Sequence, residues 1–166
     1  MRAKHAPSFR PRALFVVSST PCFALLAGCA ATQPTRFSVS IEAWSLAKGY
    51  GYRYEVSPKS IQVTTLNDFG DEPRIVWQSP LTDEQSKSLT ACLDRLPLGT
   101  LKERYDNPDV DDGLGLNFRI ELAKTAKKTI EVHEIYQQDL AGLVHCINAL
   151  VPEKYKIGYE TRAQSP

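Results

Sequence analysis

The sequence lacks the short motifs that mark the common catalytic and cofactor-binding classes. It has no glycine-rich phosphate loop and no dinucleotide-binding fingerprint. Neither Cys-x2-Cys nor His-x3-His spacing occurs, which removes the ordinary patterns of a zinc site. A Gly-x-Ser-x-Gly turn, which would expose a serine nucleophile, is also absent. We therefore expect no bound metal, no cofactor and no catalytic activity.

Apolar runs of membrane-spanning length are missing as well. Residues 13–26 come nearest with 14 residues, whereas a helix needs about 20 to cross the hydrocarbon core. Residues 1–12 before them carry four basic side chains and no acid, which is typical of the first part of a secretion signal. The apolar segment closes in Leu26-Ala27-Gly28-Cys29, where two small residues separate a leucine from a cysteine.

This tetrapeptide resembles the lipobox of bacterial lipoproteins. The resemblance implies cleavage before Cys29 and attachment of a diacylglycerol to its thiol, usually with a further acyl chain on its amine. Ala30 follows the cysteine. In enteric lipoproteins an aspartate there retains the protein in the inner membrane, so the resemblance favours the outer membrane. The alternative is an ordinary cleaved signal peptide with an incidental cysteine, because Ala27-Gly28 also suits the usual signal peptidase.

The lipobox-like segment and the pattern of the residues after it divide the chain into four predicted parts. Residues 1–28 are the lipoprotein signal peptide, 29–36 the lipidated tether, 37–160 a single domain and 161–166 a disordered tail. One acyl chain binds a membrane only marginally and two hold it stably, so the implied modification anchors the protein. The seven residues after Cys29 span at most about 25 Å, which keeps the domain near the bilayer on the periplasmic side.

Cleavage changes the charge balance of the protein. Residues 1–28 hold four of the 20 lysine and arginine residues and none of the 19 acidic ones, which leaves a net charge of −3. A mildly acidic domain has no broad attraction for nucleic acid, and we expect no such partner.

Two cysteines remain for disulfide chemistry. Cys22 leaves with the signal and Cys29 is acylated, so Cys92 and Cys146 form an even pair in an oxidising compartment. Both lie in segments with helical periodicity, and we predict a disulfide between them. Two separate buried thiols, which behave as small apolar side chains, are the alternative.

The apolar pattern predicts an α+β fold: a mostly antiparallel sheet of about five to seven strands with two helices on one face. The first helix follows Thr82, with Gln85 at the capping-box position, and ends near Arg95. The second begins near Gln138 and stops before Pro152. The segment 101–105 is ambiguous between strand and turn. The predicted strands are 37–41, 50–56, 61–66, 74–78, 115–122, 129–133 and, closing the sheet, 155–159.

The main candidates for a binding surface are aromatic. Tyr50, Tyr52 and Tyr54 share one face of a predicted strand. Facing the core they would be packing residues, and facing solvent they would form a stripe able to stack on sugars or a partner protein. The alternation favours the core. Trp44 falls in a loop-like segment between strands, where an exposed aromatic anchor suits a binding surface.

The acidic segment from Asp106 to Gly113 has the composition of a calcium loop but not its spacing. With Asn107 as the first ligand, Asp112 takes the position that requires glycine. We interpret the segment as a solvated loop, and an irregular calcium site stays open. The two histidines outside the signal, His133 and His145, are interpreted as surface groups.

These patterns favour a lipid-anchored, non-catalytic binding or scaffold module of the cell envelope. Its expected partner is an envelope protein or a cell-wall glycan near the membrane. Two alternatives stay open. One is a small periplasmic hydrolase that uses Asp109, Asp111 and His133, and the other is an inhibitor of an enzyme.

Replacing the acceptor thiol tests the anchoring hypothesis. We expect Cys29→Ser, in the native host, to lose label from radioactive palmitate and to leave the membrane fraction, because serine offers no thiol for acylation. Cys22→Ser is the matched control, since that cysteine lies inside the cleaved signal, and it should keep both properties. A wild-type protein that takes up no palmitate would contradict the interpretation.

Overall fold

The computed structural model describes residues 36–45, 49–67, 71–109, 113–123 and 126–159. All of them belong to one compact unit that extends from Thr32 to Pro166. The predicted signal peptide, the predicted acylation site Cys29, the predicted tether up to Thr35 and the predicted tail lie outside the described residues. Within the described ranges, neither helix has the length and apolar character that crossing a bilayer demands.

Seven strands, two α-helices and a short 3-10 helix make up the described fold. In chain order they are β1 Phe37–Ser45, β2 Tyr50–Val56, β3 Ser60–Asn67, β4 Ile75–Pro80, α1 Asp83–Asp94, β5 Arg104–Asp106, β6 Leu114–Leu122, β7 Ala126–His133, α2 Gln138–Asn148 and the 3-10 helix Glu153–Tyr155. The strands form one sheet in the order β4-β3-β2-β1-β6-β7-β5. Every neighbouring pair is antiparallel except β5 and β7, which are parallel. The predicted α+β class with a mostly antiparallel sheet is therefore confirmed.

β1 is longer than the sequence pattern predicts. It continues to Ser45, so Trp44 lies in a strand, and its placement in a loop was wrong. The reason is pairing on both sides: Trp44 is opposite Gly51 on β2 and opposite Gly115 on β6. Two neighbouring strands keep the backbone extended where the local pattern no longer predicts it.

The predicted closing strand at 155–159 was also wrong. After the 3-10 helix the described chain is irregular and is held by a side chain of α2. Asn148 Oδ1 accepts a hydrogen bond from the Ile157 amide at 2.8 Å, and Asn148 Nδ2 donates to the Ile157 carbonyl at 2.9 Å. An asparagine amide thus satisfies the backbone groups that a neighbouring strand would otherwise pair. The seventh strand of the sheet is instead β5, an edge strand that overlaps the ambiguous segment 101–105.

The buried apolar side chains of the central strands lie on one face of the sheet, which we call the core face. Register puts Ile41 opposite both Tyr54 and Phe118, and Phe118 opposite Ile130. All four side chains are at most 1% exposed. The same apolar cluster contains six residues of the helices: Leu89, Leu93, Leu140, Leu143, Val144 and Ile147.

α1 begins where the sequence predicts it. The Gln85 amide donates to Thr82 Oγ1 at 3.2 Å, and the Thr82 amide donates to Gln85 Oε1 at 2.9 Å. This reciprocal pair satisfies two backbone donors that the first helical turn leaves unpaired.

Cys92 on α1 and Cys146 on α2 lie at disulfide distance. Their sulfur atoms are 2.05 Å apart, and 54 residues separate them in the sequence. This geometry is compatible with the predicted pairing. The bond joins the two helices to each other and closes a loop that includes β5, β6 and β7.

Tyrosine hydroxyls attach the C-terminal segment to the sheet. Buried Tyr54 donates to the Tyr155 carbonyl at 2.8 Å, and Tyr155 donates to the Val76 carbonyl at 3.1 Å. Burial, with the neighbouring Tyr52 hydroxyl as a smaller cause, raises the pKa of Tyr54 well above its usual value. Its hydroxyl therefore stays a hydrogen-bond donor in the folded protein.

Removal of the Cys92–Cys146 bond should lower the free energy of unfolding. For a loop of this length, loss of the cross-link costs about 4 kcal/mol in the chain-entropy account. Urea denaturation of the Cys92→Ser, Cys146→Ser double variant measures it. Dithiothreitol added to the wild type should reproduce the loss and should leave the variant unchanged. Equal denaturation midpoints for the wild type and the variant would show that the bond does not stabilise the fold.

The Tyr54 hydroxyl should make stability depend on alkaline pH. The unfolded chain loses this proton near pH 10 and the fold holds it longer, so the stability it contributes is present below about pH 10 and is lost above it. Tyr54→Phe should lower the free energy of unfolding by about 1 kcal/mol at neutral pH. Above about pH 10 the free energy of unfolding of the variant should fall less steeply than that of the wild type. Tyr50→Phe, at a side chain that is 45% exposed, is the control. Parallel alkaline curves for wild type and Tyr54→Phe would refute the assignment.

Candidate functional site

The face of the sheet opposite the core face carries the polar side chains of the central strands, and we call it the polar face. Register aligns its side chains in rows that cross the strands. The middle row reads Arg53, Glu42, Asn117, Glu131 and Arg104, on β2, β1, β6, β7 and β5. An amide at the centre is thus flanked on each side by a carboxylate and then by a guanidinium.

The adjacent row of the polar face contains an aromatic ring and two glycines. It reads Gly51, Trp44, Gly115, His133 and Asp106 on the same five strands. Trp44 therefore stands between two positions without side chains. Trp44 and Glu42 are two residues apart on β1, so the aromatic ring and the first carboxylate share a face.

The charges of these two rows are largely compensated within the fold. Arg53 Nη2 lies 2.8 Å from Glu42 Oε1, and Arg53 Nε donates to the same oxygen at 3.0 Å. On the far side Arg104 Nη2 lies 3.2 Å from Asp106 Oδ2, and Asp106 Oδ1 lies 3.7 Å from His133 Nδ1. Glu42 is the most protected of these groups, because its side chain is 17% exposed.

Two polar groups of the middle row have no partner in the part of the chain that the structure describes. The carboxylate of Glu131 makes no ion pair or hydrogen bond there, and the buried Oδ1 of Asn117 accepts none. A buried acceptor without a donor costs roughly 1–3 kcal/mol. Both groups are therefore available to a ligand that brings hydrogen-bond donors.

The two glycines beside Trp44 are glycines for different reasons. A Cβ at Gly51 would lie 2.1 Å from the carbonyl oxygen of Ala43, so the neighbouring backbone excludes a side chain there. A Cβ at Gly115 would meet, among the described residues, only His133, with Nε2 at 3.9 Å and Cδ2 at 4.0 Å. Gly115 also has no left-handed backbone conformation that would require glycine.

Gly115, which is itself buried, lies at the base of a shallow cleft of about 380 Å³, which we call the Gly115 cleft. Its volume falls within the usual range of small-molecule sites. The cleft combines an aromatic ring, an amide, two carboxylates and an imidazole. Its polar-face lining is Glu42, Trp44, Gly115, Asn117, Glu131 and His133.

The predicted aromatic surface does not come together as one surface. Tyr52 pairs with Ala43 and Gly51 pairs with Trp44, so the three tyrosines of β2 and the tryptophan of β1 lie on opposite faces. Tyr54 is 1% exposed, and Tyr52 stacks edge-on against it with ring centroids 6.5 Å apart. Tyr50, at the start of the strand, is 45% exposed.

The residues of the hydrolase alternative are not assembled by the described part of the fold. Asp109 lies in an exposed turn, where its amide donates to Asn107 Oδ1 at 3.1 Å. Asp111 lies outside the described residues. The carboxylate beside His133 is that of Asp106, which the hydrolase hypothesis did not include. In the described ranges no three histidine, cysteine or acidic side chains are grouped to hold a metal ion. His145 is exposed on α2.

Sequence reasoning missed most of the cleft. These residues lie in two adjacent rows on three strands, and nothing in the linear pattern brings them together: Glu42, Gly115, Asn117 and Glu131. The available signal was the polar phase of each alternating strand. Combining those phases requires the register of β1 with β6 and of β6 with β7, which the sequence alone does not provide.

Comparison of the chain with protein-family models, with curated proteins and with solved structures finds no match.

Proposed function

We propose that this chain is a lipid-anchored, non-catalytic binding module of the bacterial cell envelope. A diacylglyceryl group on Cys29 would hold it to the outer membrane on the periplasmic side, and the polar face would contact an envelope component. The observation that carries the proposal is the Gly115 cleft, where Trp44 borders polar groups that have no partner among the described residues. A tryptophan beside polar groups is a common composition for a binding site.

Both helices cover the core face in this proposal, and the polar face is left for a partner. The support is that the buried residues of α1 and α2 belong to the same apolar cluster as Ile41, Phe118 and Ile130. The pair at Cys92 and Cys146 holds the helices together over that cluster. A module built this way stabilises itself on one side of the sheet and binds on the other.

The position of the cleft along β1 suits an anchored module. The tether leads into β1 at Phe37, and Trp44 lies near the opposite end of that strand. Seven strand residues extend about 23 Å. The lipid would thus be connected to one end of the central strand and the cleft to the other, which points the binding site away from the entry of the tether.

The hydrolase alternative has weaker support. Catalysis by His133 needs a nucleophile or a substrate-directed carboxylate within hydrogen-bond reach. In the described residues the carboxylate beside the His133 imidazole is instead that of Asp106, which Arg104 also binds. The Asp106 carboxylate is thus already bound by an arginine and is not directed at a substrate.

Site-specific photo-crosslinking in living cells tests the proposal. A photoreactive amino acid at Arg119, which is exposed on the polar face, should capture an envelope protein or glycan in the full-length acylated protein. The same group at Lys87, exposed on α1, is the matched control and should capture none above background. Adding Trp44→Ala should reduce capture from Arg119 to the control level, because it removes the aromatic anchor of the cleft.

Equal capture from Arg119 and Lys87 would contradict a role for the polar face. The Cys29→Ser variant, released from the membrane, tests the need for the lipid. If Arg119 still captures the partner in that variant, binding does not require the lipid anchor.

A further inference from the structure

We propose that the Gly115 cleft binds one sugar ring of a neutral glycan. This inference rests on the proposed function and names the ligand of the same site. It starts from the glycine. A glycine in the interior of a strand weakens the sheet, and it often marks a close approach by backbone or ligand. At Gly51 the approaching group is the Ala43 backbone, whereas at Gly115 no described atom comes closer than 3.9 Å. The neighbouring backbone therefore does not require glycine at Gly115, and we take the missing side chain as the mark of a ligand site.

The space above Gly115 fits a flat ring. Trp44 and His133 stand on β1 and β7, on either side of β6. Two strand spacings separate their backbones, about 9–10 Å, and Gly115 places no side chain between them. A ring that enters between them would have the indole against one face and the imidazole against the other. Sugar rings suit such a position because their C–H faces pack against aromatic rings.

The charges of the cleft favour a neutral ligand over a cation. Arg53 already compensates Glu42 at 2.8 Å, and Arg104 compensates Asp106 at 3.2 Å. Only the carboxylate of Glu131 would remain for a cation among the described residues of the cleft, and Glu131 is exposed, where an ion pair contributes little. A lysine or arginine side chain would therefore gain little from this site.

The unpartnered groups of the cleft match sugar hydroxyls. Asn117 is half-buried and offers both a donor and an acceptor, and its Oδ1 lacks a donor within the described ranges. Glu131 adds two carboxylate oxygens, each able to accept a hydrogen bond from a hydroxyl group. His133 adds a ring nitrogen at the edge of the floor, with Nε2 3.9 Å from the point that a Cβ at Gly115 would occupy. Vicinal hydroxyls supply several donors at once, which satisfies this set without bringing a charge.

Fluorescence of Trp44 measures the binding directly. The chain has two tryptophans, so the Trp77→Phe variant of the full-length protein in detergent leaves Trp44 as the sole indole. Titration with the N-acetylglucosamine tetramer and with cellotetraose should give a saturable change in emission for at least one of them. A lysine-rich peptide, titrated in the same way, should give none.

Gly115→Val is the decisive variant, because its two expected effects go in opposite directions. The added side chain occupies the floor of the cleft and should weaken glycan binding at least about tenfold. It should also keep or raise the melting temperature, because a Cβ has room there and valine favours strands more than glycine does. Thr129→Val, on the polar face but in another row, is the control and should bind like the parent.

A second variant tests the polar groups without filling the floor. Asn117→Leu removes both hydrogen-bonding atoms of the amide at similar size, and it should weaken binding while circular dichroism shows the parent fold. It also keeps the inference testable if Gly115→Val fails to fold.

Three outcomes would overturn the glycan inference. They are a Gly115→Val protein that binds the sugar like its parent, saturation by the lysine-rich peptide in place of both sugars, and no saturation by either sugar. Each leaves the proposed function to its own test, since a protein captured from Arg119 in cells would still support an envelope-binding module.

Discussion

The pairing of β1 with both of its neighbours is the constraint on which the rest of the structure depends. β1 is central in the sheet, and its register with β2 and β6 fixes which side chains lie on the core face. A slip of one residue would move Ile41 out of the core and Trp44 into it, because side chains alternate between faces. The polar rows exist because the four registers between their five strands agree, so the core and the cleft are specified by the same hydrogen bonds.

Local patterns determined much of the fold in advance. Alternation located the strands, and Thr82 with Gln85 located the start of α1, because both signals depend on neighbours close in sequence. Trp44 was misplaced because two distant strands extend β1 around it. The segment at 155–159 was misread because Asn148, on another element, satisfies its backbone. The cleft was the least accessible part, since its residues meet only through register.

The two glycines beside Trp44 show how one residue type answers two separate demands. Gly51 allows the backbones of β1 and β2 to approach, and any Cβ there would collide with a carbonyl oxygen. At Gly115 the neighbouring backbone does not exclude a Cβ, so glycine there weakens the strand without relieving a backbone collision. A sheet with such a weak position needs stabilisation elsewhere. Buried residues of both helices supply it within the apolar cluster, and the Cys92–Cys146 pair connects the two helices.

This division of labour connects stability with the proposed binding role. The interactions that hold the domain together lie on the core face or in the C-terminal segment that Tyr54 and Asn148 attach. The polar face contributes compensated ion pairs, which stabilise a surface little. Residues of the Gly115 cleft can therefore serve a ligand without competing with the core. Because β1 is continuous from Phe37 to Trp44, the strand that would receive the membrane tether would also position the proposed binding site.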